Sequence, residues 1–338
     1  MVDVVVRVER VTKRFAGHTA VHDLSLAVPR GMIFGLLGPN GAGKTTTIRM
    51  IMDIIEPDEG RVVLFGGTAK GRDLSARIGF LPEERGLYKK MKVIDHLVFL
   101  AEVKGIARGV GRERALHWLD RLGMADWTTR KVEDLSKGMQ QKVQFVGTVL
   151  HDPELLVLDE PFSGLDPVNS QVMRAAVVEF ARLGHTVLFS THIMEHAEQM
   201  CDHVVIISRG EKVVDGSLAE VKREGGARYV ALRFHRDAVR AAPVLRDRRL
   251  AASVQDHGPS AEVELAPDAD PDELLQALVA SGAGVARFEV VEPSLQSVFI
   301  KKVGADAARS ARSDDAIRHE TQTLDELVAS ALERGDDA

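Results

Sequence analysis

One cysteine, Cys201, is present in 338 residues. An internal disulfide is therefore excluded, and a lone thiol fits a reducing compartment and an ordinary buried side chain. Long apolar runs are also missing. No stretch approaches the ~18 consecutive apolar residues that a membrane-spanning helix needs, so any action at a membrane would require holding on to something else. The first ten residues, Met1 to Arg10, are interrupted by acids. They lack a basic leading region and a small-residue cleavage site, so no signal peptide is expected. A basic excess is absent as well: Lys plus Arg number 44 against 50 Asp plus Glu, a net charge of −6. That balance argues against bulk nucleic-acid binding, which leaves a basic footprint. The acidity is uneven. Residues 305–338 hold nine acids and four arginines, which leaves the preceding chain close to neutral. No internal repeat is visible.

What is present is the composition of a globular protein, 45% hydrophobic and 28% charged. The length suggests two domains with a tail. Residues 2–8, 21–28 and 61–66 read as strands, with a turn at Ala16-Gly17-His18. Gly31 to Gly38 is a buried strand ending in glycine, and a helix is expected from Thr45 to about Ile55. Residues 91–150 read as helical, broken at Gly105, Gly109, Gly111, Gly123 and Gly138. Strands then return at 155–158, 186–190 and 203–208, with helices at 168–183 and 193–200 between them. The alternation implies a doubly wound α/β domain over residues 1–225 with a helical insertion. Gly225-Gly226 is a candidate hinge. Residues 226–303 read as a small α+β domain, with strands at 228–234, 262–265 and 285–291 and a helix at 271–281 capped by Asp270. Residues 304–338 are expected to be flexible, apart from one amphipathic helix at 321–334.

Two motifs carry chemistry. Gly38-Pro39-Asn40-Gly41-Ala42-Gly43-Lys44-Thr45, followed by Thr46, fits G-x-x-x-x-G-K-S/T. Such a loop lets backbone N–H groups point at phosphate oxygens, and the helix behind it adds its positive end. Lys44 would reach the β/γ-phosphates, and the Thr45 hydroxyl would hold Mg²⁺. The second motif, Leu155 to Glu160, sets two acids at the end of a buried strand, where an open α/β sheet presents its ligand crevice. Asp159 is the expected Mg²⁺ carboxylate. Glu160, pointing to the other side, is the expected general base for an attacking water.

With these motifs the chain resembles the ATP-binding subunit of an ABC transporter. Ser163-Gly164-Leu165-Asp166 looks like the D-loop of that family, and Ser190-Thr191-His192 like its switch. Leu135-Ser136-Lys137-Gly138-Met139-Gln140-Gln141 looks like its signature, Leu-Ser-Gly-Gly-Gln, with Lys137 and Met139 as departures. The resemblance implies ATP with Mg²⁺ as ligand, Phe15 stacked on adenine, and His192 on the γ-phosphate. It also implies that Ser136 and Gly138 reach the nucleotide of a partner subunit, with Asp166 at the interface; Lys137, a departure from the family, adds a cation that either faces that nucleotide or stays solvated. Glu83, in Phe80-Leu81-Pro82-Glu83-Glu84, stands where the family has a glutamine that senses Mg²⁺ and the γ-phosphate.

The Glu83–Tyr88 segment, the Leu-Ser-Lys-Gly signature and the segment Glu292–Ile300 are similar to the sodium-efflux and drug-efflux branch of bacterial ABC exporters. The resemblance therefore implies an ATPase motor that pairs with a copy of itself or a paralogue. It also implies an integral membrane permease as partner, no nucleic acid, and a place at the inner face of the cell membrane. Residues 86–100 are the expected docking surface for the permease. A soluble ABC-type ATPase acting on ribosomes or DNA is the alternative, but this chain has one nucleotide domain, no long heptad array and no basic excess. A non-hydrolysing binder is a third reading, opposed by Lys44, Asp159, Glu160 and His192.

Overall fold

The computed structural model describes residues 3–67, 72–84, 86–223, 228–236, 238–256 and 258–303. The candidate hinge Gly225-Gly226, the tail from residue 304 and the helix at 321–334 lie outside the described residues. Met1–Leu295 form one compact unit, and Gln296–Ala338 a second, of which residues 296–303 are helical.

Three sheets organise the first unit. Strands β1 (Val4–Phe15), β2 (His18–Pro29) and β4 (Glu59–Leu64) form an antiparallel sheet in the order β2-β1-β4. The six-stranded sheet runs β5-β6-β7-β3-β8-β9. Its members are β3 (Ile33–Leu37), β5 (Ile78–Leu81), β6 (Leu155–Asp159), β7 (Thr186–Thr191), β8 (His203–Ser208) and β9 (Glu211–Ser217). Every pairing there is parallel except β8 with β9. β3, β6 and β7 are buried at every residue, which explains their unbroken apolar sequences. One core joins the two sheets through helix α1 (Lys44–Ile51): Val5, Val21 and Leu24 pack with Ile48, Ile51, Leu36 and Val157.

The remaining helices flank the sheets or pack on one another. Short α2 (Arg72–Arg77) leads into β5. Helices α3 (Val93–Val103), α4 (Arg108–Arg121) and α5 (Lys137–Val149) pack on one another as the helical insertion. The insertion differs from expectation in two ways. Gly105 and Gly123 do separate helices, each with positive φ. Gly109 and Gly111, however, lie inside α4, and Gly138 lies in the first turn of α5. Gly111 is there for packing: a Cβ on it would sit 2.7 Å from the Ala101 Cβ, so α3 and α4 approach closer than any side chain allows. Residues 124–136 carry two short 3-10 helices, Ala125–Trp127 and Val132–Asp134, instead of α-helix.

Helix α6 (Pro167–Arg182) leads into β7, and α7 (Met194–Glu198) and α8 (Leu218–Arg223) follow it. A separate four-stranded antiparallel sheet follows, in the order β11-β12-β10-β13. It is built from β10 (Tyr229–Arg236), β11 (Ala251–Asp256), β12 (Ser260–Leu265) and β13 (Gly284–Val291). Short α9 (Ala242–Leu245) and α10 (Pro271–Ala280) accompany it. Val230, Leu232, Val263 and Leu265 meet Leu274 and Leu278 of α10 in its own core. The Asp270 carboxylate caps α10 by accepting from the Asp272 N–H at 2.9 Å. Cys201 is buried, and burial pushes its thiol pKa well up, as suits an inert side chain.

Candidate nucleotide site

Strand order puts the motifs together. β7 lies between β3 and β6, with Leu37 opposite Thr191 and Ser190 opposite Asp159. The ends of three parallel strands thus bring the glycine loop, the acidic pair and His192 to one edge of the sheet, where the strand order reverses. The loop runs from Gly38 through Pro39, Asn40, Gly41 and Ala42 to Gly43, and then opens α1 at Lys44. Gly43 has φ of 106°, and a Cβ there would fall 2.6 Å from the Ala20 carbonyl oxygen, so only glycine fits.

Lys44 is buried. Its ammonium donates to Gly38 O at 2.8 Å and Pro39 O at 3.2 Å, and lies 3.4 Å from Glu160 Oε1. The Glu160 carboxylate, itself buried, lies 3.1 Å from His192 Nδ1 through both oxygens. Asp159 sits with a different set. Its Oδ1 accepts from Ser190 Oγ at 2.5 Å and from Thr45 Oγ1 at 3.3 Å. Burial holds the Asp159 pKa above the usual carboxylate range, partly offset by those two hydroxyls. The separation of the two acids does not come from strand alternation, as the sequence suggested. β6 ends at Asp159, and Glu160 turns off it with φ of 47°. That left-handed conformation costs a non-glycine residue roughly 1–2 kcal/mol. Ser190 supports it by accepting the Glu160 N–H at 3.1 Å.

A cleft of about 510 Å³ opens onto Lys44, Thr45, Glu160 and His192, while Gly38, Pro39, Asp159 and Ser190 do not line it. Phe15, Asn40, Gly41, Ala42, Gly43, Lys44, Thr45, Thr46, Glu83, Glu160, Ser163 and His192 line it. Phe15 is 49% exposed at one end, with the Lys13 ammonium 5.7 Å from its ring. Glu83 is exposed at another edge. Ser136, Lys137, Gly138 and Asp166 do not line this cleft. Ser136 caps α5, its hydroxyl accepting the Met139 N–H at 3.3 Å. Asp166 caps α6, accepting the Asn169 N–H at 2.9 Å, which holds its pKa low. The two caps are neighbours: a Cβ on Gly138 would touch Leu165 at 3.3 Å. They form a second surface that presents Lys137 and Ser136 outward. His18, which lines the cleft, and Ser190, which holds both acids, were not among the site residues expected from the sequence. Ser190 stood within the Ser-Thr-His motif, while nothing in the sequence pointed to His18 as a cleft residue.

A glycine loop opening a helix, with a buried acid at the end of the next strand but one, defines a P-loop nucleotide-binding ATPase. The sequence pattern of the ABC transporter family matches residues 21–163, and that of the DrrA1-3-like ATP-binding protein C-terminal domain matches residues 216–303. The chain is similar to the ABC transporter ATP-binding protein YhaQ of Bacillus subtilis, 42% identical over 298 residues, covering 88% of this chain and 98% of that one. It is also similar to the linearmycin resistance ATP-binding protein LnrL of Bacillus subtilis, 30% identical over 306 residues, covering 88% and 97%. A solved ATP-binding subunit of an ABC transporter superposes with a TM-score of 0.61 at 30% identity, covering 66% of this chain and 93% of that one. The chain belongs to the ATP-binding subunits of ABC transporters, which bind and hydrolyse ATP.

Proposed function

We propose that this chain is the motor of an exporter, driving a separate membrane permease by ATP-dependent pairing. The observation that carries this reading is the convergence of Lys44, Glu160 and His192 in one cleft beside the Asp159–Thr45 pair. In it, Phe15 stacks on adenine and the loop amides of residues 38–46 surround the phosphates. Lys44 binds the β/γ-phosphates. A polyphosphate carries more charge than one carboxylate, so it competes for the Lys44 ammonium and frees Glu160 as a base. His192, already on Glu160, orients that carboxylate and the attacking water.

Thr45 and Asp159 offer a hydroxyl and a buried carboxylate within 3.3 Å of each other. This hard, oxygen-only pair fits Mg²⁺, which takes one or two carboxylates and completes its shell with phosphate oxygens and water. When bound, Mg²⁺ would neutralise charge between the β- and γ-phosphates. Glu83, at the cleft edge, is the charged counterpart of a Mg²⁺-sensing glutamine.

The outward surface of Ser136, Lys137, Gly138 and Asp166 completes the nucleotide site of a second subunit, a copy of this chain or a paralogue. Loss of the γ-phosphate then releases the pair. Residues 86–100 dock the permease at the inner face of the membrane. Among the described residues, no helix is long and apolar enough to cross a membrane. Export is supported by the resistance function in the name of LnrL and by the DrrA1-3-like C-terminal match. Mixing tests the composite site. Lys44→Ala and Ser136→Arg chains should each be inactive, and their mixture should regain up to about a quarter of wild-type ATPase activity, through pairs with one intact site. No recovery would contradict pairing of this chain with itself.

A further inference from the structure

Two carboxylates hold neighbouring backbone groups just after β13. Glu262 of β12 accepts the Ser294 N–H and the Ser294 hydroxyl, each at 3.2 Å. Glu198, the last residue of α7, accepts the Leu295 N–H with one oxygen. Its other oxygen lies 3.6 Å from the Lys222 ammonium of α8. Leu295 is itself fully buried. Ser294-Leu295 thus forms a strap, with one anchor on the C-terminal sheet and the other on α7.

The α7 anchor stands next to the chemistry. α7 begins two residues after His192, whose Nδ1 lies 3.1 Å from the Glu160 carboxylate. The residue between them, Ile193, donates its N–H to the Thr191 hydroxyl at 3.1 Å, so the connection to β7 has little slack. On α7, His196 meets Phe162 edge-on, with ring centroids 4.7 Å apart, and Phe162 follows Glu160 by two residues. A helix of five residues has no stability of its own, so its place is set by what it touches. Those contacts are the buried Met194 and Ala197, the Phe162 ring on His196 and the strap on Glu198. Glu198 does not line the nucleotide cleft.

We propose that Glu198 is a positioning residue for ATP hydrolysis. By holding the Leu295 N–H it lets the C-terminal domain set α7, and through α7 the geometry of His192 against Glu160. The inference rests on the roles given to His192 and Glu160 above. Releasing the strap would leave a backbone N–H beside a buried side chain without its acceptor, which favours the closed contact. A shift of about 1 Å at a catalytic group can slow a reaction by about 10²-fold. Because Glu198 lies outside the cleft, a loosened strap acts on turnover and leaves the grip of residues 38–46 on the phosphates unchanged.

The test is steady-state ATPase kinetics of the full chain. Glu198→Ala should lower kcat about tenfold and change the KM for ATP by less than about twofold. Glu198→Gln keeps an oxygen that can accept the Leu295 N–H, and should return kcat to within about twofold of wild type. Glu262→Ala frees the other anchor without altering α7, and should lower kcat as Glu198→Ala does. The double variant should fall no further, because both carboxylates hold one strap. A wild-type kcat in Glu198→Ala, a Gln variant as slow as the Ala variant, or an additive double variant would each overturn the positioning role. If Glu198→Ala does not fold, an unchanged kcat in Glu262→Ala overturns it alone. His192→Ala separates the two readings. Wild-type turnover in that variant overturns the role of His192 and this inference with it. Lost turnover there, beside a wild-type kcat in Glu198→Ala, overturns this inference only.

Discussion

Ser190 shows how one hydroxyl can serve two acids. It donates to Asp159 and accepts from the Glu160 backbone, fixing both carboxylates relative to the phosphate loop. Ser190→Ala should leave the fold intact but raise the Mg²⁺ concentration for half-maximal ATPase activity about tenfold or more, as loss of groups behind a metal ligand generally does. A Mg²⁺ titration of the variant would show no shift if Ser190 only packs. The buried histidines give a second residue-scale expectation. Burial lowers the pKa of both His96 and His151 from 6.5 to about 4, so both are neutral when folded. Their contribution to stability is complete above pH 6.5 and is lost as pH falls toward 4. The slope is roughly 1.4 kcal/mol per pH unit for each. Denaturation of wild type and His96→Leu across pH 4 to 7 should show a shallower acid decline in the variant; parallel curves would refute the lowered pKa. At this scale the sequence showed Lys44, Thr45, Asp159, Glu160 and His192 through motif spacing. It could not show the left-handed turn at Glu160, because φ there follows from packing and not from residue type.

Elements were legible where burial imposes a pattern. β3, β6 and β7 are buried throughout, and their apolar runs announced them. β9 was not anticipated: Glu211, Lys212 and Asp215 break its apolar pattern, since an antiparallel edge strand needs only one covered face. β5 is only four residues long and β11 only half buried, so neither leaves a periodic signal. Glycine misled in α4, where Gly111 serves close packing instead of a break. Gly111→Leu should force α3 and α4 apart and destabilise the protein by about 1–3 kcal/mol, the usual cost of overpacking. Thermal denaturation would register this as a lower Tm. An unchanged Tm would mean that the helices are not held in contact there.

For the whole molecule, the near-neutral body offers no strong field to attract ATP. Affinity must arise locally, from loop amides, Lys44 and Mg²⁺. Ser136 and Lys137 do not line the phosphate cleft of their own chain, so under the proposed pairing catalysis is expected only when two chains meet. The central claim is that Glu160, by taking a proton from the attacking water, drives the hydrolysis that removes the γ-phosphate contact keeping them together. Glu160→Gln keeps the shape but cannot take a proton, and should cut ATP turnover by a factor of 10² to 10⁴. The direct measurement is light scattering of this variant with Mg-ATP, run beside its ATPase assay. The expected result is a stable dimer with almost no turnover, against a transient dimer for wild type. A Glu160→Gln chain that stays monomeric in ATP, or hydrolyses it at the wild-type rate, would contradict the claim.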